Sequence, residues 1–181
     1  MKKVVRKMFF AWNEEKEKLF LEEMALQGYR LVKVQVGKYT FEEDKPKKVI
    51  YQFDFRTFNK DGEEEYLQIH EDAGWNLVYK YSGWYYFSQE SNNQEVDLSL
   101  FNNNESKRAK YIRLLLFLFI TGFPLYYQTL VFFPLLDEWK FEFHSFYFFF
   151  RIIALILTGM HIFAVTKILL QYRKLKNNIK E

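Results

Sequence analysis

Two stretches of the chain, "ALQGYRLVKVQVGKYTF" (residues 25–41) and "EDAGWNLVYKYSGWYYF" (residues 71–87), carry one pattern at a constant offset of 46. This constrains the fold more than any other feature, because an arrangement that suits one copy must suit the other. At that offset Asn13 matches Asn59, Leu21 matches Leu67, and Gly28 matches Gly74. Leu31 and Val32 match Leu77 and Val78, Gly37 matches Gly83, and Tyr39 and Phe41 match Tyr85 and Phe87. Phe9 with Phe55 and Val4 with Ile50 extend the series to the start of each copy, which predicts a single register without insertion.

Each copy reads as strand, helix, strand, strand. "KVVRKMFF" (3–10) is β-branched and aromatic, and Asn13 before "EEKE" predicts a helix N-cap with acidic residues in the first turn. Leu19, Phe20, Leu21, Met24 and Ala25 give that helix one apolar face, and Gly28 ends it. A hairpin with Gly37 at its joint follows. The second copy predicts a strand over 49–56, a helix over about 63–73 capped near Asn59 or Asp61, and strands over 75–81 and 84–88. The expected class is α+β: a duplicated strand-helix-strand-strand unit (repeat 1 about 3–43, repeat 2 about 48–89) forming an antiparallel sheet with two helices. Half-units of this kind cannot each bury a sheet face, whereas two together share a core. Tyr51, Phe53 and Phe55 are expected on one face of a strand, and Trp75, Leu77, Tyr79 and Tyr81 on one face of another. Trp84 and Tyr86 should oppose Tyr85 and Phe87, so that both sheet faces carry rings.

The rest of the chain is different material. After a polar and basic linker (91–110), "YIRLLLFLFITGFPLYYQTLVFF" (111–133) and "FYFFFRIIALILTGMHIFAVTKILL" (146–170) are each long enough for a hydrocarbon core of about 30 Å. They predict a transmembrane hairpin through an external loop (134–145), with a basic tail at 171–181. Lys107, Arg108, Lys110 and Arg113 flank the first span and Arg173, Lys174, Lys176 and Lys180 follow the second. The loop carries Asp137, Glu138 and Glu142 against Lys140. The positive-inside rule then predicts a two-pass protein of the cell membrane with both termini cytoplasmic. Within the spans, Arg151 is expected to snorkel or pair with Glu142 or Asp137. Pro124 beside Gly122 should kink or loosen the first helix, and His161 should make an interhelical hydrogen bond. Two spans with one histidine form a pore only in a homo-oligomer.

Catalytic signatures are missing. There is no cysteine, and the three histidines, His70, His144 and His161, are scattered. No phosphate loop, GxSxG, HExxH or GxGxxG occurs. The acidic runs "NEEKEKLFLEE" and "NKDGEEEYLQIHED" read as solvated helix fronts. Residues 1–110 hold 18 Lys+Arg against 19 Asp+Glu, which lacks the basic footprint of a nucleic-acid binder. The expectation is a protein that is not an enzyme, with no cofactor, no metal and no nucleic-acid partner.

"FFAWNEEKEKLFLEEMALQGYRLVKV", "YTFE", "EYLQIHEDAGWNLVYKYSGWYYF" and "NNNESKRAKYIRLL" together resemble the bacterial family known as domain of unknown function 2812, over about residues 5–115. The resemblance implies a membrane hairpin after the domain and a regulatory or stress-response setting, since such proteins are often encoded beside PadR-like regulators. It implies no catalytic residues. The doubled unit is also similar in topology to the effector-binding fold of drug-sensing regulators and haem-binding SOUL proteins, where two copies surround an apolar pocket.

Two functions from different classes follow. In one, the cytoplasmic domain is a regulatory or adaptor module that binds a protein partner, a regulator or a transporter, at the bilayer. In the other it is a tethered sensor for a small aromatic or amphipathic ligand. Tyr29, Tyr51, Trp75, Trp84 and Tyr85 would then wall a cleft between the repeats, with Glu23 or Asp72 facing a cationic ligand.

Overall fold

The two copies build two three-stranded antiparallel sheets. A computed structural model describes residues 1–58, 62–91, 104–138 and 144–177. It divides the chain into two units, Met1–Lys110 and Tyr111–Glu181. The first unit runs β1 (Lys2–Arg6), a 3-10 turn (Ala11–Asn13), α1 (Glu14–Leu26), β2 (Tyr29–Gln35) and β3 (Lys38–Glu43). It continues with β4 (Val49–Phe55), α2 (Gly62–Asp72), β5 (Asn76–Tyr81) and β6 (Trp84–Glu90). The strand orders β1-β3-β2 and β4-β6-β5 are the same arrangement twice. The chain is therefore α+β with the predicted duplicated order, its strands divided between two ladders that meet where β2 neighbours β5. Expectations resting on Asn59, Asp61, Lys140, Glu142 and Lys180, and on the side chains of Asp137, Glu138, His144 and Lys176, fall outside the described residues.

The repeat extends to irregularities of the backbone. A bulge interrupts the ladder between Leu31 and Lys33 and again between Leu77 and Tyr79, 46 positions on. Gly28 and Gly74 both end their helices at φ +81, the left-handed region that favours glycine. A Cβ on Gly28 would also stand 2.8 Å from the Asp44 carbonyl oxygen. The first strands, however, do not follow the 46 offset. Lys38 faces Arg6 and Trp84 faces Phe55, so partners 46 apart face residues 49 apart. The links before the helices differ in length, and Val4 corresponds to Phe53 instead of Ile50. An odd shift exchanges the two faces of a strand, so the uninterrupted register read from the sequence is wrong at this one element.

Packing explains why rings occupy both faces of β6. Trp84 and Tyr86 belong to the larger core, which also gathers Phe20, Leu21, Met24, Leu31, Phe41, Tyr51 and Phe53. Tyr85 and Phe87 belong to a second core with Tyr66 and Trp75 under α2. The alternation along β6 is the strand period of two. The larger core is shared, because α1 of the first repeat lies against β4 of the second as well as its own β2. Two expectations need correction. Leu19 is exposed, off the packed face of α1. The bulge on β5 breaks its predicted single face: Trp75 enters the second core, Leu77 is exposed, and Val78 and Tyr79 pack on the larger core.

In the second unit α3 (Asn104–Tyr127), whose first turns belong to the first unit, passes into a π-helical segment (Gln128–Phe132) and α4 (Phe133–Glu138). α5 (His144–Asn177) follows. Pro124 lies inside α3 and removes one N–H from its ladder just before the π-helical widening. The two arms are joined by polar contacts. His161 Nε2 lies 3.0 Å from the Leu118 carbonyl oxygen and Nδ1 lies 2.8 Å from the Tyr126 hydroxyl. A carbonyl only accepts, so Nε2 carries the proton and Nδ1 accepts from the phenol. Gly122 makes room for this ring, since a Cβ there would stand 2.5 Å from His161 Cε1. The Thr129 and Thr158 hydroxyls meet at 2.9 Å, and Tyr147 donates to the Phe133 carbonyl at 2.8 Å. Two stretches, Ser106–Leu136 and Phe146–Leu175, are long and apolar enough to cross a membrane, and only 11% of an apolar 18-residue window in each is buried.

Candidate functional site at the repeat junction

A cleft of about 160 Å³ opens where the two repeats meet. Ala25, Tyr29 and Arg30 line it from the end of α1 and the start of β2, and Val49, Tyr51, Asn76, Ser88 and Glu90 from the second sheet. The connector Asp44–Lys47 forms its edge, held by Asp44 N–H donating to the Gly28 carbonyl (2.9 Å) and Lys47 N–H to the Ala25 carbonyl (3.2 Å). Its rim is charged in both signs: Lys47 lies 2.8 Å from Glu90 and 3.4 Å from Asp44, and Arg30 lies 3.9 Å from Asp44. The Lys45 backbone N–H, with Lys47 and Arg30 adding to it, holds the Asp44 carboxyl below its ordinary range. Burial pushes the Tyr51 phenol up to about 12. The Lys3 ammonium covers the Tyr29 ring at 3.9 Å. The walls thus offer one accessible ring, apolar patches and paired charges.

A second polar feature is buried beside the larger core. Glu14, Glu17 and Lys18 of α1 are less than a tenth exposed, which corrects the reading of "NEEKEKLFLEE" as a solvated front. Lys18 lies 2.8 Å from Glu14, and Lys110 lies 2.6 Å from the other Glu14 oxygen while also donating to the Phe53 carbonyl at 3.3 Å. Burial alone would raise the Glu14 carboxyl; the Lys110 and Lys18 ammoniums outweigh it and hold the group low. Glu17 has no such neighbour in contact. Burial raises it, against hydrogen bonds donated by Tyr39 (2.6 Å) and Tyr86 (3.0 Å). Both phenols are pushed upward by burial and by the Glu17 carboxylate, so they stay protonated and donate to it. The cluster joins α1 and β3 of one repeat to β6 of the other and to the stem of α3. Asn13 does stand at the N-cap of α1, but its side chain makes no capping hydrogen bond.

Of the residues expected to wall a ligand cleft, the structure brings Tyr29 and Tyr51 together in it. Trp75 and Tyr85 lie in the second core, and Trp84 packs on the larger one against Phe55. Glu23 and Asp72 are exposed, Asp72 bonded to Gln68 on its own helix, and neither lines the cleft. Asp44 and Glu90 are the carboxylates found there instead. Glu14, Glu17, Lys18 and Lys110 went unnoticed as a group. Their signal was present in α1, because positions 14, 17, 18, 21, 24 and 25 follow one helical face. Among the described residues no three His, Asp or Glu side chains converge as a metal set would.

Together these features describe a duplicated α+β module with a cleft at its junction, followed by an apolar two-helix hairpin. The chain belongs to the family described as "Protein of unknown function (DUF2812)", which it matches over residues 13–123, more than half of its length. No curated protein matches it, and no solved structure does.

Proposed function

We propose that the chain is a membrane-anchored adaptor whose α+β module binds a protein partner, with the apolar hairpin as its anchor and no catalytic chemistry of its own. One observation carries this reading: a set of apolar side chains that neither core uses. Met8 (57% exposed), Phe10 (48%) and Val36 (71%) stand at the hairpin end of the first sheet. Met8 lies over Gly37, next to Val36, and Phe10 stacks on Trp12 with ring centroids 4.8 Å apart. Aromatic and Met side chains exposed together at a surface are what interface cores favour. A photo-reactive residue in place of Val36, in the full chain in its membrane, should give one discrete adduct that Met8→Asp abolishes. The same group at Asp72 should give none. Equal labelling from both positions would defeat this reading.

The cleft favours a second reading, in which an amphipathic small molecule lies against Tyr29 while the Arg30, Asp44 and Lys47 rim meets its polar end. At a hundred times its dissociation constant such a ligand stabilises the fold by about 2.7 kcal/mol. Screening the full chain in a bilayer disc should find a compound that raises the melting temperature, with the shift lost in Tyr29→Ala and kept in Met8→Asp.

A further inference from the structure

A different cleft, also about 160 Å³, lies within the first unit between β4, α2 and the stem of α3. Its charge is one-sided. Arg56, Lys107 and Lys110 face it against the single carboxylate of Asp54, and that carboxylate is already satisfied. Asp54 accepts from Phe55 N–H (2.8 Å), Arg56 Nε (2.8 Å) and the Tyr66 hydroxyl (3.0 Å). Lys110 is committed to Glu14 and the Phe53 carbonyl. The donors left over are the Lys107 ammonium, which pairs with no carboxylate among the described residues, and the Nη groups of Arg56, whose Nε alone is used. The Ser106 hydroxyl lines the same wall.

We infer that this cleft binds the phosphate of an anionic lipid headgroup, Lys107 and Arg56 supplying the charge-assisted hydrogen bonds and Ser106 a third donor. Three features support the assignment. Unspent cationic donors around a satisfied carboxylate select an anion, and a guanidinium with an ammonium suits phosphate oxygens. The space is about five times a water's share of liquid volume, enough for a phosphate with its ester oxygens. Finally, Lys107 precedes Tyr111, where the apolar run begins, by one helical turn, about 6 Å along α3. The headgroup layer of a bilayer is about that thick on each side. This last point rests on the reading of the hairpin as membrane-spanning.

The test uses the full chain in discs of phosphatidylcholine, titrated separately with dihexanoyl phosphatidylglycerol, dihexanoyl phosphatidylcholine and inorganic phosphate. The melting temperature should rise with phosphatidylglycerol and stay flat with phosphatidylcholine. A rise with inorganic phosphate alone would identify free phosphate as the source of the same chemistry. Lys107→Gln should weaken the response about tenfold, one charge-assisted contact, while Lys174→Gln, at the end of the other span, should leave it unchanged. No response to either phosphate compound, or equal loss in both variants, overturns the site. An alkaline wash of the loaded bilayer tests the membrane reading by itself. A chain that stays bound without headgroup preference loses only the cleft. A chain that washes off loses the lipid source, and the cleft then stands or falls on inorganic phosphate.

Discussion

Glu17 is a carboxylate held by two phenols and no cation in contact, and its stability effect has a definite sign. Burial raises its folded pKa above the ordinary 4.5, so between 4.5 and the folded value the native state keeps a proton that the unfolded chain has released. Stability contributed by this group therefore falls as pH rises through that window. Glu17→Gln keeps an acceptor for Tyr39 and Tyr86 without the charge. It should remove that fall and match or exceed the parent in urea unfolding at neutral pH. Glu17→Ala strands two buried hydroxyls and should cost about 1–3 kcal/mol. His70 behaves in the opposite direction. Burial lowers its pKa below 6.5, so the unfolded state binds the proton first and stability is lost as pH falls below that value. The ring stacks on Phe87, with centroids 4.4 Å apart, so His70→Phe should keep much of the packing while flattening the loss as pH falls below 6.5.

Among the elements, the two arms of the hairpin meet where Gly122 admits the His161 ring. Gly122→Leu places a branched chain where the imidazole lies and should separate the arms, read as faster protease cleavage or a lower melting temperature in detergent. His161→Phe keeps a ring there but forfeits the bonds to Tyr126 and Leu118, at about 1–2 kcal/mol. Several elements were legible in the sequence because local chemistry fixes them. Gly28 and Gly74 marked both helix ends, and alternating rings along 84–87 predicted the two faces of β6. β1 was misaligned because Val4 and Ile50 are both β-branched residues in short strands, and only the partner across the ladder fixes the register. The bulge at Val78 hid the true faces of β5, since a bulge adds a residue without altering the residue types. The cleft walls were half legible: rings were visible, but which rings a second helix would cover depended on α2 lying across Trp75 and Tyr85.

At the scale of the molecule, the first unit does not end with β6 at Glu90 but includes residues up to Lys110, where the composition turns from polar to apolar. Lys110, next to the apolar run, supplies one of the two counter-charges of Glu14 at the start of α1. A chain ending at residue 103 should therefore be less stable than one ending at residue 110 by about 2–4 kcal/mol, since Lys18 still balances part of the buried charge. Lys110→Met in the longer chain should reproduce the loss, and adding Glu14→Gln should recover much of it. Equal stability of the two truncated chains would mean that the contact contributes nothing.

The same contact sets an order of events during synthesis. Residue 14 leaves the ribosome early, but its partner at position 110 follows nearly a hundred residues later, immediately ahead of the first greasy segment. Until then the Glu14 carboxylate of α1 has Lys18 as its counter-charge but not Lys110. If the hairpin is the membrane anchor proposed above, final closure of the α+β module and insertion of the apolar segment fall in the same interval. Substitutions that slow one should be felt in the yield of the other.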